Sequence, residues 1–181
     1  MSAKTIRPLT TIHSDLEAFT EHLVRHMNES GRNGSILFAP YPTDSVWKEP
    51  ERKDQLVSRL QKPMTEPGAT RIWGLFEQDN VIGHVDLKVA SLVTASHRAI
   101  LGMGLEERYR GKGEGSRLLD TAIGWARRSE LFAWIDLRTF GHNDAALRLY
   151  RRAGFVEQGR LADMFRIAGK SIDDVLMSLE L

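Results

Sequence analysis

The chain has 181 residues and is 41% hydrophobic, which allows one sizeable core and is short for two independent domains. Its 25 Lys and Arg residues nearly balance 24 Asp and Glu residues, so net charge implies neither a nucleic-acid nor a membrane partner. The lack of cysteine excludes disulfides, thiolate metal ligands and an acyl-cysteine intermediate. We expect one cytoplasmic domain over 1–181, because no apolar run approaches a membrane span and 1–8 lacks the apolar core of a secretion signal.

The first predicted elements are a short strand over 5–9 and a helix capped by Ser14 or Asp15. The helix also carries His22 and His26 at the spacing of a zinc pair, but the glutamate of the H-E-x-x-H pattern is missing. We therefore interpret the two histidines as a surface or core-edge pair and expect no metal site. The residues predicted to face the sheet are Leu16, Phe19, Leu23 and Met27.

A long irregular segment over 28–47 follows, rich in Gly, Asn, Ser and Pro and containing Phe38, Tyr41 and Trp47. A connection of this length inside a compact domain is typical of a binding wall. A second helix is expected from near Pro50 to just before Pro63. Its predicted inward residues are Leu56, Val57 and Leu60.

From residue 71 onward the pattern becomes rich in strands. The runs 71–76 and 81–88 flank Gln78-Asp79-Asn80, which is typical of a hairpin. The remaining predicted elements are a strand over 98–105, a helix ending near 129, a strand over 132–139, a short helix over 144–153 and a closing hairpin of 155–160 with 175–181. The strand–helix–strand unit predicts two parallel strands with a right-handed crossover. The fold class is therefore α/β (α+β), with a mixed sheet flanked by helices.

Three glycines stand where the 98–105 strand gives way to the next helix. Gly111, Gly113 and Gly115 allow backbone conformations that other residues resist, and they keep side chains away from a ligand. Unpaired helix N–H groups near Ser116 and the positive end of the helix dipole converge here, which suits a pyrophosphate. Neighbouring cations that can contact an outlying phosphate are Arg108, Arg110, Lys112 and Arg117.

Other uses of these glycines stay open at this point. A flexible strand-to-helix turn with solvated charges is a common one. A dinucleotide fingerprint is weak, because it requires Gly or Ala at the position of Ser116, and the chain has no G-x-x-x-x-G-K-[ST] run.

Two motifs occur in order: Arg-x-x-Gly-x-Gly over Arg110, Gly113 and Gly115, and the run from Asn143 to Tyr150 followed by Gly154-Phe155. They resemble the acyl-CoA motifs of GNAT (Gcn5-related) N-acetyltransferases, with the close match over 98–160. The resemblance implies a single GNAT-like domain whose mostly antiparallel sheet has a splayed parallel central strand pair. It also implies acetyl-CoA as co-substrate, without a metal.

The resemblance carries roles for individual residues. Backbone groups of Gly104 and Leu105 are expected to bond the pantetheine amides and the thioester oxygen, and Asn143 to hold the arm on its other side. Tyr150 is the expected general acid for the departing thiolate. The cofactor-binding set is Gly104, Leu105, Arg110, Gly111, Lys112, Gly113, Gly115, Ser116 and Asn143.

The general base is left open by the sequence. Glu106 ranks first on position alone, just past the splayed strand. The other acidic or basic candidates are Glu77, His84, Asp86 and Glu107.

The expected reaction is direct attack of a primary amine on the acetyl thioester in a ternary complex. The acceptor is a small molecule, an amino acid or a peptide or protein N-terminus, which we expect to contact 28–47 and 161–170; a longer acyl group and a homodimer are also compatible with the sequence. The alternatives to an acetyltransferase are a non-catalytic CoA- or phosphate-binding module and an RNA-binding protein. The basic residues available for RNA lack interleaved aromatic side chains, so no nucleic-acid or membrane partner is expected. Those basic residues are Arg127, Arg128, Arg148, Arg151 and Arg152.

Overall fold

The computed structural model describes residues 3–44, 46–48 and 53–181, and within them seven strands form one sheet in the order β1-β2-β3-β4-β5-β7-β6. The strands are β1 (Lys4–Pro8), β2 (Thr70–Glu77), β3 (Asn80–Val89), β4 (Arg98–Leu105), β5 (Trp134–Phe140), β6 (Val156–Ile167) and β7 (Lys170–Glu180). The helices are α1 (His13–Glu29), α2 (Lys53–Gln61), α3 (Glu114–Ser129) and α4 (Asp144–Arg152). Pro50, the predicted start of the second helix, lies outside the described residues.

The sheet is antiparallel except between β4 and β5, which pair in parallel. This pairing starts with Arg98 opposite Trp134 and ends with Ile100 opposite Asp136. Beyond these residues the two strands separate, although both continue for several residues. The predicted mixed sheet with a splayed parallel pair is therefore confirmed.

The helices cover the sheet from both faces and create two main apolar clusters. On one face, α1 and α2 pack against β2 and β3 through Phe19, Leu56, Ile72 and Phe76. On the other face, α3 and α4 pack on the centre of the sheet, where Leu118, Leu119, Ile135 and Leu137 are almost completely buried. The opening between β4 and β5 thus has helices on either side.

The start of α1 differs from the prediction. Its N-cap is Ile12, which makes no side-chain cap, and Ser14 and Asp15 lie inside the helix. The Asp15 carboxylate accepts two hydrogen bonds of 2.7 Å from the Arg7 guanidinium and a third from the Thr10 hydroxyl. Charge-assisted bonds of this kind are stronger than a neutral cap, so they attach α1 to the end of β1 instead.

The buried face of α1 also differs from the prediction. Leu16 and Phe19 are buried as expected, but His22 and His26 complete the buried stripe, while Leu23 and Met27 are only partly covered. The histidines are buried because polar partners meet them on β3 and β4. Interpreting them as a surface or core-edge pair was therefore wrong for His22, which has no exposed surface.

The closing hairpin is confirmed and is longer than predicted, since β6 runs to Ile167 and β7 begins at Lys170. The stretch over 161–167, expected to contact the acceptor, is therefore strand. Charged residues in and beside this stretch pair with one another: Arg166 bonds Asp163 within it, and the preceding Arg160 bonds Glu157 and Asp173.

Replacing Asp15 by Asn should lower the free energy of unfolding by about 2 kcal/mol, because a buried carboxylate loses charge-assisted bonds to Arg7. The hydrogen bond from Arg7 lowers the pKa of Asp15, so this stabilisation is present at neutral pH and is lost as the pH falls below the usual carboxyl range. Urea denaturation at pH 7 measures it. The exposed Glu17→Gln change in the same helix is the control, and an equal effect of both substitutions would contradict the assignment.

Candidate active site

A cavity of about 530 Å³ opens where β4 and β5 separate. Its wall comes from both faces of the sheet, because α1 and the 28–47 segment contribute on one side and α3 and α4 on the other. The lining residues include His26, Ile36, Phe38, Leu101, Gly102, Met103, Gly104, Leu105, Arg110, Gly111, Gly113, Gly115, Ser116, Arg138, Thr139, Asn143, Arg148, Leu149, Tyr150 and Arg152. The structure thus brings together all the predicted site residues except Lys112 and Glu106.

The glycine turn forms one end of this cavity. Gly111 and Gly113 have φ angles of +72° and +83°, in the left-handed region that favours glycine, and α3 begins directly after them. The backbone N–H groups of 111–116 donate to no oxygen of the described chain. Six free amides and the positive end of a 16-residue helix therefore meet at one surface, which favours a bound anion.

The cations close to this turn in sequence are engaged elsewhere. The Arg110 guanidinium donates to the Leu105 carbonyl at 2.9 Å and to Glu29 at 3.3 Å, and it lies over the Phe38 ring. These contacts attach the 28–47 segment to the end of β4. Lys112 donates to the Arg108 carbonyl at 2.7 Å.

Three further arginines line the cavity: Arg138 on β5, and Arg148 and Arg152 on α4. In the sequence, the last two appeared only among the basic residues available for RNA. Arg148 and Arg152 lie four residues apart on α4, so they share one face of that helix, beside the glycine turn. Both are exposed. They are better placed than Lys112 to contact an outlying phosphate. The sequence signal for this was their position on α4 relative to Leu147, which marks the buried face of that helix.

The unpaired edge of β4 forms the long wall of the cavity. Glu106 N–H donates to the Ile82 carbonyl and Ala90 N–H to the Arg98 carbonyl, which fixes the hydrogen-bond alternation along β3 and β4. By this alternation the backbone groups of Gly104 point to β3, while the N–H groups of Met103 and Leu105 point into the gap. The amide of Leu105 is thus better placed than that of Gly104 for a ligand.

Gly104 contributes space instead of a hydrogen bond. A Cβ at this position would lie 2.6 Å from Cε1 of His84 and 2.7 Å from Cδ2 of His26. Only glycine lets the two imidazole edges close over this point of β4. The histidines of α1 and β3 therefore reach the strand from the face opposite Tyr150.

The histidines belong to a buried polar chain. Nδ1 of His22 lies 3.1 Å from Oε1 of Glu106, and Nε2 of His22 lies 2.9 Å from Nδ1 of His84. The Glu106 carboxylate also accepts a 3.0 Å hydrogen bond from Nε of Arg25. Glu106 is only 3% exposed and does not line the cavity, so its contact with the site runs through the histidines.

The environment favours neutral imidazoles and an ionised carboxylate. Burial lowers the pKa of His22, against the opposing effect of Glu106. Burial, aided by the two neighbouring histidines, holds the pKa of His84 well below its usual value. For Glu106, burial raises the pKa, but His22 and Arg25 together outweigh it and lower the pKa below the usual range.

Among the other acidic candidates for the base, only Asp86 lies next to the linked residues Glu106, His22 and His84. Its Oδ1 is 3.9 Å from Nε2 of His84, and its carboxylate covers Gly102 of the cavity wall. Burial raises the pKa of Asp86 to about 6, while Arg59 and Lys88 oppose the shift.

The other two acidic candidates are placed less favourably. Glu77 accepts a hydrogen bond of 2.6 Å from the Tyr109 hydroxyl, and Glu107 is exposed. Neither lines the cavity.

Asn143 and Tyr150 face the cavity from α4. Asn143 caps this helix through its side-chain oxygen, which accepts from the Ala146 amide at 3.3 Å, so its NH₂ group is left for the cavity. Tyr150 packs against the Phe155 ring, and its hydroxyl has no partner among the described residues. Burial raises the pKa of Tyr150 to about 12, which keeps the phenol neutral and able to donate.

The described residues contain no group of three or more His, Cys, Asp or Glu side chains arranged to hold a metal ion. None of their helices is both long enough and apolar enough to cross a membrane.

The comparison with protein families identifies the fold and the class of enzyme. The model of the acetyltransferase (GNAT) family matches residues 35–155, which include the glycine turn, the splayed strands and α4. The chain belongs to the acetyltransferase (GNAT) family. Its resemblance to this family is thereby confirmed, as is the predicted class of enzyme, an acyltransferase that acts on amines.

Individual relatives agree with the GNAT assignment. The chain is 28% identical to the L-amino acid N-acetyltransferase AaaT of Escherichia coli (strain K12) over 129 residues, 69% of each protein. A GNAT-family acetyltransferase from Streptococcus pneumoniae matches with a TM-score of 0.82 and 23% identity, covering 99% of both chains. YncA of Salmonella typhimurium, a putative acetyltransferase solved with its cofactor acetyl-CoA, matches with a TM-score of 0.76 and 20% identity, covering 99% of this chain and 94% of that one.

Replacing Gly104 by Ala should force both imidazoles away from β4 and lower the free energy of unfolding by about 1 to 3 kcal/mol, as overpacking does. Urea denaturation measures this loss. Gly159→Ala on β6 is the matched control, because nothing lies within 4 Å of a Cβ there. Equal stability of the two variants would show that the histidines do not close over Gly104.

Replacing Asp86 by Asn should raise the free energy of unfolding at pH 8 by about 1 to 3 kcal/mol, because one pKa unit corresponds to about 1.4 kcal/mol. The raised pKa of Asp86 means that its ionisation costs stability as the pH rises through about 6. The gain should therefore shrink at pH 5. Denaturation at both pH values tests this, with the exposed Asp120→Asn as control; a gain independent of pH would contradict the assignment.

Proposed function

We propose that this protein is an N-acetyltransferase that moves the acetyl group of acetyl-CoA to a primary amine by direct attack in a ternary complex. The observation that carries the proposal is the cavity between β4 and β5, which connects six unpaired amides at the glycine turn with Tyr150 and His26 on opposite faces of the sheet. An anion site, an acid and a histidine thus line one cavity.

The glycine turn and the unpaired β4 edge fit the two parts of coenzyme A. The amides of 111–116 suit the pyrophosphate, with Arg148 and Arg152 available for a further phosphate. The amides of Met103 and Leu105 along the gap suit an extended, amide-containing arm, and Asn143 lies across from them. In this position the Leu105 amide donates to the thioester oxygen as negative charge develops on it.

Tyr150 is the proposed general acid. When the amine nitrogen bonds to the thioester carbon, the carbon–sulfur bond breaks, and the Tyr150 hydroxyl donates its proton to the thiolate sulfur. A phenol with a pKa of about 12 is a weak donor to a thiolate whose conjugate acid has a pKa near 8.5 in water. The same buried surroundings raise the pKa of the thiol, which narrows this difference.

The acceptor is expected to approach from the α1 face of the sheet, where His26 and Phe38 line the cavity. The similarity to an L-amino acid N-acetyltransferase favours amino acids among the primary amines, together with small amines and peptide N-termini. A panel of these amines, assayed by release of free CoA thiol, tests the proposed function. Calorimetry that shows no binding of acetyl-CoA to the folded protein would refute it, and binding without turnover of any amine would leave a CoA-binding module.

Replacing Tyr150 by Phe should lower kcat about 100-fold or more, as expected for loss of a general acid. The affinity for acetyl-CoA, measured by calorimetry, should change little, since the ring and its packing are kept. Tyr109→Phe is the control, because it removes a hydroxyl that bonds Glu77 outside the cavity. An unaltered kcat in the Tyr150 variant would exclude Tyr150 as the acid.

A further inference from the structure

The buried chain of Glu106, His22 and His84 joins three elements that are distant in sequence. His22 comes from α1, His84 from β3, and Glu106 from the end of β4. The two links measure 3.1 Å and 2.9 Å, and all three side chains are at least 90% buried. Arg25 and Arg108 lie beside Glu106, at 3.0 Å and 3.5 Å, and hold it as a carboxylate.

The order of partners determines where the protons lie. An ionised Glu106 can only accept, so Nδ1 of His22 carries its hydrogen and donates to Oε1. Nε2 of the neutral His22 then has a lone pair and accepts from Nδ1 of His84. The lone pair of His84 is therefore on Nε2. Among the ring nitrogens of His22 and His84, this is the one that bonds no other member of the Glu106–His22–His84 series.

This nitrogen points toward Asp86, on the α1 face of the sheet. The His84 ring touches β4 at Gly104, behind the cavity wall, and Nε2 lies 3.9 Å from the Asp86 carboxylate. Asp86 in turn covers Gly102 and is partly exposed. An ammonium group attracted by Asp86 would thus lie next to the His84 lone pair and close to the splayed strand.

On the basis of the proposed N-acetyltransferase function, we propose that His84 is the general base that takes a proton from the acceptor ammonium, and that His22 and Glu106 position it and accept the charge. The proton transfers balance. One ammonium proton goes to Nε2 of His84, while the Nδ1 protons of His84 and His22 shift toward Glu106. The second proton lost by the nitrogen replaces the one that Tyr150 gives to the thiolate.

The neighbouring groups fit this role less well. The Glu106 side chain is 4% exposed, against 10% for His84 and 25% for Asp86, and its carboxylate is held by His22, Arg25 and Arg108. His26 lines the cavity, but its Nδ1 is buried with no hydrogen-bond partner in the described chain, and Glu29 is 3.8 Å away, so no carboxylate orients the ring. Asp86 is more exposed than His84, but no further group is bonded to it that could take the proton on. It is therefore suited to attract the ammonium.

The groups that face His84 are His22 and His26 from α1 and Asp86 from β3, with the Phe19 ring packed edge-on against it. The lowered pKa values of both relay histidines are consistent with neutral rings at the start of the reaction. They predict that both imidazoles carry hydrogen on Nδ1. Long-range ¹H–¹⁵N NMR spectra of the wild-type protein at pH 7.5 test this directly, and hydrogen on Nε2 of His84 would overturn the proposal.

The sharpest variant is Glu106→Gln, which keeps the shape and removes the negative charge. Its amide oxygen takes the place of Oε1, which accepts from both Nδ1 of His22 and Nε of Arg25, so the imidazole tautomers stay as in the wild type while the neutral amide cannot accept the relayed proton. We expect unchanged ¹⁵N spectra and a kcat at least 100-fold lower, with acetyl-CoA affinity unchanged within threefold. Glu180→Gln, at an exposed position on β7, is the matched control. Retention of more than half of kcat would contradict the relay.

His84→Gln provides an independent test if the Glu106 variant folds poorly. Without a base, only amine that is already neutral can react, so kcat/KM of this variant should rise about tenfold per pH unit up to the pKa of the amine. The wild type and the exposed His13→Gln control should show no such rise above pH 7. The same pH response in His26→Gln but not in His84→Gln would assign the base to His26 and overturn the proposal.

These outcomes separate the relay from the proposed function. If wild-type protein neither binds acetyl-CoA nor acetylates any amine of the panel, the proposed function fails. If it does both, and His84→Gln retains the wild-type rate and pH dependence, only the relay fails.

Discussion

The loss of pairing between β4 and β5 after Ile100 is the constraint on which the site depends. Three parallel pairs hold the strands together at one end, and the connection between them runs through α3. Beyond these pairs the edge of β4 has backbone groups without a strand partner. An unpaired strand edge in the middle of a sheet is costly unless a ligand or water bonds it, so the gap is a strong indication of a binding site.

The absence of side chains at Gly102 and Gly104 determines what reaches the gap from the α1 face. Asp86 covers the first glycine and the imidazoles of His26 and His84 cover the second. The opposite face offers Tyr150, held by the packing of α4 on the sheet. The proposed acid can therefore act on the leaving sulfur, and the proposed base on the attacking amine, from two sides of the sheet without contacting each other.

Tertiary contacts, more than membership of a sequence motif, decide which charged side chains reach the site. Arg110 belongs to the glycine motif, yet its guanidinium joins the 28–47 segment to β4. Arg148 and Arg152, which belong to no phosphate motif, lie along the cavity. Glu106 has the position expected of a base and is instead enclosed by His22 and Arg25.

The sequence by itself determined the features that depend on neighbouring residues. The strand–turn–helix unit at 98–129, the hairpins and the α4 motif with Asn143 and Tyr150 follow from local periodicity, turn chemistry and short spacing, and they were enough to indicate the family. The tertiary structure alone decided the histidine chain, because His22 and Glu106 are separated by 84 residues and His22 and His84 by 62. Hydrophobic periodicity assigns a histidine on an amphipathic helix to the edge of the buried face. Only the polar partners that β3 and β4 bring to that face make its complete burial favourable.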